Sequence, residues 1–371
     1  MSLPLPITGV GLVTSVGYGV VGSCAALRAG VSLPRELEME VGEDGGDAAA
    51  LATGFPVWPY TDGFFQTGAW VRLGVGALQD LSHRAGGGDG RSPDLWPVTS
   101  LVGALPAINS ERFHWTLEEL PDAPLSFFLE PLARQGAPGA LDSSGWDARG
   151  HVSLAAGILR ADRGLASRQA ERFAIVAADS YLDPFTLRAL HQARRLKAPD
   201  RATGLMPGEA GAAVLVESDR SARRRNAEIL GQVDAVAMGT APREKRGSAR
   251  PAAPLLGRAL AKAASDVLRP AGQGTRFQGD IFLDLNGEDW KANAWGHAQV
   301  LLSRLVDLDR CRTFVPAESL GETGAASAPI GVALALYNFM VDGAERALVL
   351  SMADDGAVSA IRLSRASRPR R

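Results

Sequence analysis

Cysteine is nearly missing from this 371-residue chain: Cys24 and Cys311 stand far apart and outside any metal-ligand spacing. Their scarcity excludes a disulfide-stapled scaffold and a cysteine-rich zinc site, and it fits a reducing compartment. Net charge is missing as well. Lys+Arg total 39 against 41 Asp+Glu, a formal charge of −2, so the basic surface that phosphate neutralisation requires is absent and nucleic acid is not an expected partner. No uninterrupted apolar run reaches about 18 residues, and no transmembrane helix is expected. The first residues carry neither the charged start nor the long apolar stretch of a signal peptide, which makes the cytoplasm the expected location. Neither Gly86-Gly87-Gly88 nor the opening glycines form a phosphate-binding fingerprint between a strand and a helix, and no motif implies a cofactor.

What is present is a chain long enough, and with 46% hydrophobic residues apolar enough, to bury a large core in two domains or two halves. Short β-rich runs alternate with longer segments of helical period, the pattern of a layered α/β protein. Strands are expected at 7–13, 98–105, 173–178, 212–217, 229–238, 280–285, 347–352 and 358–363. Helices are expected at 20–29, 69–84, 152–162, 184–194, 251–268, 291–306 and 325–341. The stretches 41–47, 85–94 and 240–250 read as surface loops, and the charged run 219–226 as a connector, dividing the chain into halves 1–218 and 228–371. The arginine-bearing end, 365–371, reads as a solvated terminus.

Several segments resemble the β-ketoacyl synthases in order and spacing. Ile7-Thr8-Gly9-Val10-Gly11-Leu12-Val13-Thr14-Ser15-Val16-Gly17 looks like that family's first strand and turn, and Ala177-Ala178-Asp179-Ser180 like its alanine/glycine-rich third strand. Met206-Pro207-Gly208-Glu209-Ala210-Gly211 resembles its "pro-gly-glu-gly-ala-gly" turn, and Ser319-Leu320-Gly321-Glu322-Thr323-Gly324 the segment that carries one catalytic histidine. Residues 31–139 resemble the family only loosely. The resemblance implies a thiolase-like five-layer αβαβα fold built from two similar halves.

The same resemblance exposes a catalytic vacancy. A condensing enzyme needs a thiolate at a helix N-terminus, where the dipole and free amides lower the thiol pKa and form an oxyanion hole. Counting back from Ala178, that position falls around Gly150-His151-Val152-Ser153, with no cysteine; Cys24 and Cys311 read as buried fillers. Of the two family histidines, one position holds Asn286 and the other Glu322, and Ala317-Glu318 stand where a lysine is usual. Asparagine still donates to an oxyanion, whereas a carboxylate repels one. The family's "gly-phe-gly-gly" loop corresponds to Ala353-Asp354-Asp355-Gly356-Ala357, which would bring two more carboxylates to the pocket. His151, Ser153, Asn286, Glu322, Asp354 and Asp355 therefore form the expected degenerate pocket. Ser153 is an alternative nucleophile only if a special turn brings His151 to it, because residues two apart on a helix do not face each other. Ser143 and Ser144 read as turn or capping residues. The carboxylates Asp284, Glu288 and Asp289 join the cluster without metal-coordination spacing.

Three function classes follow. The leading one is a catalytically inactive thiolase-fold protein acting as a binding, adaptor or assembly partner, by resemblance to chain-length-factor subunits and to thiolase-like proteins encoded beside type VI secretion effectors. The second is an acyltransferase with a relocated nucleophile, using acyl-CoA or an acyl carrier. The third is unrelated chemistry at the carboxylates. A protein partner, self or heterologous, is expected, since thiolase-fold proteins commonly dimerise through the strand before the nucleophile helix; here residues 140–149 are polar and glycine-containing, which weakens that contact. Trp58, Trp146, Trp290 and Trp295, and the segment Phe55-Pro56-Val57-Trp58-Pro59-Tyr60, are the candidate partner-facing aromatics.

Overall fold

Glycine sets how closely the first strand meets the helix that covers it. In β1 (Leu5–Thr14) every residue is buried, and a bulge between Ile7 and Gly9 shifts the alternation so that Leu5, Ile7, Val10 and Leu12 all reach one central core. On the opposite face Gly11 lies under α2 (Thr67–Ala85), where an added Cβ would stand 1.9 Å from the Ala77 carbonyl oxygen. Gly211 does the same in β8 (Glu209–Glu217), at 2.2 Å from the Leu73 carbonyl oxygen. The helix therefore rests on bare backbone. The computed structural model describes residues 3–41, 50–85, 95–109, 112–243, 250–269 and 276–366.

The remaining strands are β2 (Gly17–Tyr18), β3 (Arg35–Val41), β4 (Ala50–Gly54), β5 (Thr99–Leu105), β6 (Leu141–Ala148), β7 (Arg172–Ser180), β9 (Gly231–Thr240), β10 (Asp280–Leu283), β11 (Arg312–Phe314), β12 (Arg346–Met352) and β13 (Ala357–Ser364). The main sheet runs β11-β10-β12-β13-β9-β1-β8-β7-β5-β6. Each half of it repeats one plan. In the first, β6-β5-β7-β8-β1, only β8 runs against its neighbours; in the second, β11-β10-β12-β13-β9, only β13 does. The two join where Leu5–Ile7 of β1 pairs with Gly231–Val233 of β9. β3 and β4 form a separate hairpin-like pair.

The helices repeat with the strands. α3 (Glu130–Gly136), α4 (Ser153–Ala166), α7 (Ala253–Leu268), α8 (Asp289–Leu302) and α10 (Ser327–Val341) join α2 in the layers, while α1 (Val20–Arg28), α5 (Pro184–Gln192), α6 (Asp219–Arg224) and α9 (Ala317–Leu320) are peripheral or connecting. α2 and α3 cover one outer face and α7 and α8 the other. α4 and α10 lie between, each packing on strands of both halves, which completes five layers. α10 is apolar all round, as a helix between two sheets must be. Gly324–Val341 is long and apolar enough to cross a membrane, at mean hydropathy 1.5, but 78% of it is buried within the fold.

The sequence expectations differ from this in instructive places. Each half holds five main strands rather than about four, because β6 and the short β11 went unrecognised. β6 contains Asp142, Ser143, Ser144, Gly145 and Asp147; it is an edge strand held by parallel pairing to β5, so it needs no continuous apolar run. The charged connector is helical over Asp219–Arg224, with the Ser218 side chain capping it at Ser221 N. Of the expected loops 41–47, 85–94 and 240–250, residues 42–47, 86–94 and 244–249 lie outside the described residues, while Val41 ends β3, Ala85 ends α2 and Thr240 ends β9.

Replacing Gly11 with alanine is expected to lower stability by about 2–3 kcal/mol, because the clash is with backbone that no rotamer change relieves. Gly22→Ala, in α1 with open space around the new Cβ, is expected to raise it by about 0.5–1 kcal/mol, and paired urea unfolding curves check both.

Candidate functional site

The site lies where the carboxyl ends of the parallel strands meet the two central helices. α4 and α10 are each entered through a single tight turn, Gly150–Val152 and Gly324–Ala326, and each turn opens on a glycine of positive φ, 58° at Gly150 and 50° at Gly324. At Gly324 no other residue fits, since a Cβ would fall 1.9 Å from a carboxylate oxygen of Asp179. Gly150, in the stretch 150–153 where the resemblance leads one to expect a thiol, meets only ordinary contacts with Ala107.

From the first turn His151 projects inward, buried, and its Nε2 lies 2.9 Å from Oε1 of Glu322. Glu322 is the hub. Its Oε1 also accepts from the backbone N–H of Gly324 at 2.7 Å, and its Oε2 accepts from Nδ2 of Asn286 at 2.6 Å. Lys291, wholly buried in α8, places Nζ 3.9 Å from the same oxygen and donates to the carbonyl and carboxylate of Asp284 at 2.9 and 3.1 Å. Asp284 in turn accepts from Met352 N.

Asn286 carries the network outward by donating to Glu288 as well. The Arg195 guanidinium clamps Glu288 with two bonds of 2.8 Å and reaches Asp354 at 2.9 and 3.1 Å, and Arg250 closes on Asp354 from the other side while lying over the Trp290 ring. The His151 imidazole and the cations Lys291, Arg195 and Arg250 thus pair with the carboxylates Glu322, Asp284, Glu288 and Asp354 one for one.

Burial penalises every charge here, and the partners overrule it. Desolvation alone would push the Glu322 carboxyl up, but His151 and Lys291 hold it well below the usual range. Desolvation would lower the His151 imidazole, yet Glu322 raises it above its ordinary value. Lys291 is likewise raised against desolvation by Asp284 and Glu322. For Asp354, burial is outweighed by Arg195 and Arg250, which bring its carboxyl down to about 2. The site is an ionic lattice with every hub oxygen occupied.

Of the residues expected from sequence, the structure brings His151, Asn286 and Glu322 into one constellation, with Asp354 at its outer end. Ser153 is not part of it. Its hydroxyl donates to the Leu105 carbonyl at 2.8 Å and accepts from Arg149 N at 2.7 Å, fixing the turn into α4 instead of facing His151. Asp355 is also elsewhere: it accepts from Ala357 N in an exposed turn, the ordinary work of aspartate there. Lys291 and Arg195 escaped the sequence reading. Lys291 shares a stripe with Ala294, Trp295, Ala298 and Leu302, all buried, and a lysine on an apolar stripe was the available signal. Cys24 sits deep in the central core, where burial pushes its thiol up to about 12, and burial also raises half-buried Cys311; neither approaches the site. Among the candidate aromatics Trp58 is exposed and Trp295 belongs to the core behind α8.

Neither a protein-family model nor a curated protein matches this sequence. Solved structures do. Over 99% of this chain and 73% of the other, the ketosynthase from module 6 of the bacillaene synthase of Bacillus subtilis 168 superposes with a TM-score of 0.74 at 13% identity. The chain has the ketosynthase fold. AntDE:AntF, a type II PKS acyl-carrier protein in complex with its ketosynthase bound to the hexaketide, matches at TM-score 0.73 and 15% identity over 99% of this chain and 100% of that one. The ishigamide ketosynthase/chain length factor matches at 0.68 and 19%, covering 98% and 100%. At these identities the shared property is the ketosynthase fold itself.

The two pKa directions fix a pH window. His151, raised on folding, stabilises fully below the unfolded value of about 6.5 and loses that contribution as pH rises through its folded value. Glu322, lowered on folding, contributes above about 4.3 and loses it as pH falls through its own folded value. Glu322→Ala is therefore expected to cost about 3–5 kcal/mol near pH 5–6, with the deficit shrinking at alkaline pH, in denaturant titrations run across pH. The His151 ring proton, followed by NMR in Glu322→Gln, should titrate at a lower pH than in the parent chain.

Proposed function

We propose that this chain is a catalytically inactive ketosynthase-fold protein that works by binding a protein partner. One observation carries the reading: the donors that would polarise an acyl carbonyl are spent on an internal carboxylate. Asn286 Nδ2 and His151 Nε2 both point at Glu322, and the anion they serve is covalently part of the chain. An incoming thioester would have to displace a buried, doubly paired carboxylate before any oxyanion could form there. The turn that would present a nucleophile offers Gly150, which has no side chain, and Ser153 is held by two backbone partners.

Binding is the activity left to such a fold. β6 ends the sheet and pairs only with β5 among the described residues, so its outer edge offers backbone donors and acceptors to a partner strand. The partner is self or heterologous. An adaptor or assembly role, of the kind associated with type VI secretion, is the form we favour; a chain-length-factor-like role beside an active synthase is the second reading, supported by the similarity to the ishigamide ketosynthase/chain length factor pair.

Incubation with acyl-CoA and malonyl-CoA followed by intact-protein mass spectrometry is expected to leave the mass of both the parent and a C24A/C311A variant unchanged, while an active synthase control is labelled. A covalent adduct on the parent chain would overturn the inactive reading, and its loss in the double variant would place the nucleophile.

A further inference from the structure

Beside the three-residue pairing of β1 with β9 lies a cavity of about 530 Å³, bounded by Val10 of β1, Val20 of α1, the segment 227–230 and residues of α10, and within the range of about 300–1,000 Å³ typical of small-molecule sites. Its floor is Val10, Val20, Leu336 and Phe339, each no more than 4% exposed, so it reaches the apolar core where β1, α1 and α10 meet. An apolar floor of this kind favours an apolar occupant over water.

The mouth has different chemistry. Arg84 and Arg365 line it against one carboxylate, Glu228. A second cavity of about 480 Å³ shares Arg84 and Glu228 with the first and adds Thr8, His83 and Arg225, so the apolar chamber opens on a polar vestibule. The carboxylate of Asp80 in that vestibule is already engaged by Leu12 N, Val20 N and Arg84, and Arg225 is engaged by Glu217. Arg365 has no hydrogen-bonded or ion-paired side-chain partner among the described residues.

We propose that this cavity binds a single-chain amphiphile, its alkyl chain in the chamber and its anionic head, a carboxylate or phosphate monoester, against Arg84 and Arg365. The alkyl chain replaces a void lined by core side chains, and the head replaces water at a guanidinium that lacks an internal partner. The site is separate from the Glu322 network and stands or falls independently of the inactive reading.

Isothermal titration of the full chain with dodecanoate and with dodecyl phosphate, both below micelle formation, tests it, with dodecyltrimethylammonium as the opposite-charge arm. The expected result is saturable 1:1 binding of at least one anion and at least about tenfold weaker binding of the cation; whichever anion binds tighter identifies the head group. Arg365→Ala should weaken the anion about tenfold, and Leu336→Trp, which fills the chamber, should abolish it. Because a core tryptophan can compromise folding, Met340→Trp at the 63% exposed rim is the companion variant, with circular dichroism as the check on structure. Absence of saturable binding by either anion, equal affinity for the cation, or undiminished binding in a folded Met340→Trp chain would overturn the proposal.

Discussion

The Glu322 carboxylate governs the centre of this molecule. A buried anion is tolerable only if donors surround it, and that single requirement accounts for the positions of His151, Asn286, Lys291 and the Gly324 amide, drawn from four separate segments of the chain. The segments belong to both halves of the fold. A charge that must be neutralised from all sides thus ties the two halves together at the level of the turns into α4 and α10, where apolar packing alone would specify position less sharply.

The outer part of the lattice extends the same logic toward solvent. Arg195 is planar and bidentate, so it holds Glu288 and Asp354 at fixed relative positions, which a lysine could not do. Asp179 and Arg112 form a parallel pair beneath, with Asp179 accepting from Ala325 N at the turn into α10. The strand ends around the Glu322 network are thereby held by fixed ion pairs.

Much of the fold was legible because its strands are buried on both faces. β1, β7 and β8 read as near-continuous runs of small and branched apolar residues, and α10 as an apolar helix, because each lies between two layers. Elements at the margins were not legible. β6 is polar and, among the described residues, pairs with β5 alone, and β11 is three residues long. In the site, His151, Asn286 and Glu322 were found by their place in the order of segments, whereas Lys291 is marked only by its place on an apolar stripe, which names no partner. Its carboxylate partner Asp284 precedes the helix, and the turn that brings the two together is a tertiary fact. Ser153 and Asp355 show the converse: residue types that invite a catalytic reading, with the Ser153 hydroxyl held by two backbone partners and Asp355 bonded to a backbone amide in an exposed turn.

The first strand also sets a schedule for folding. Ile7 pairs with Val216 on one side and Gly231 on the other, so β1 finds its two long sheet neighbours only after more than 200 further residues have been made. Until then its apolar faces have no sheet to join. Contacts of such long sequence separation close slowly, and a nascent chain must keep this segment from pairing elsewhere in the interval. Release of the complete central layer, rather than of either half, is therefore the event on which productive folding in the cell turns.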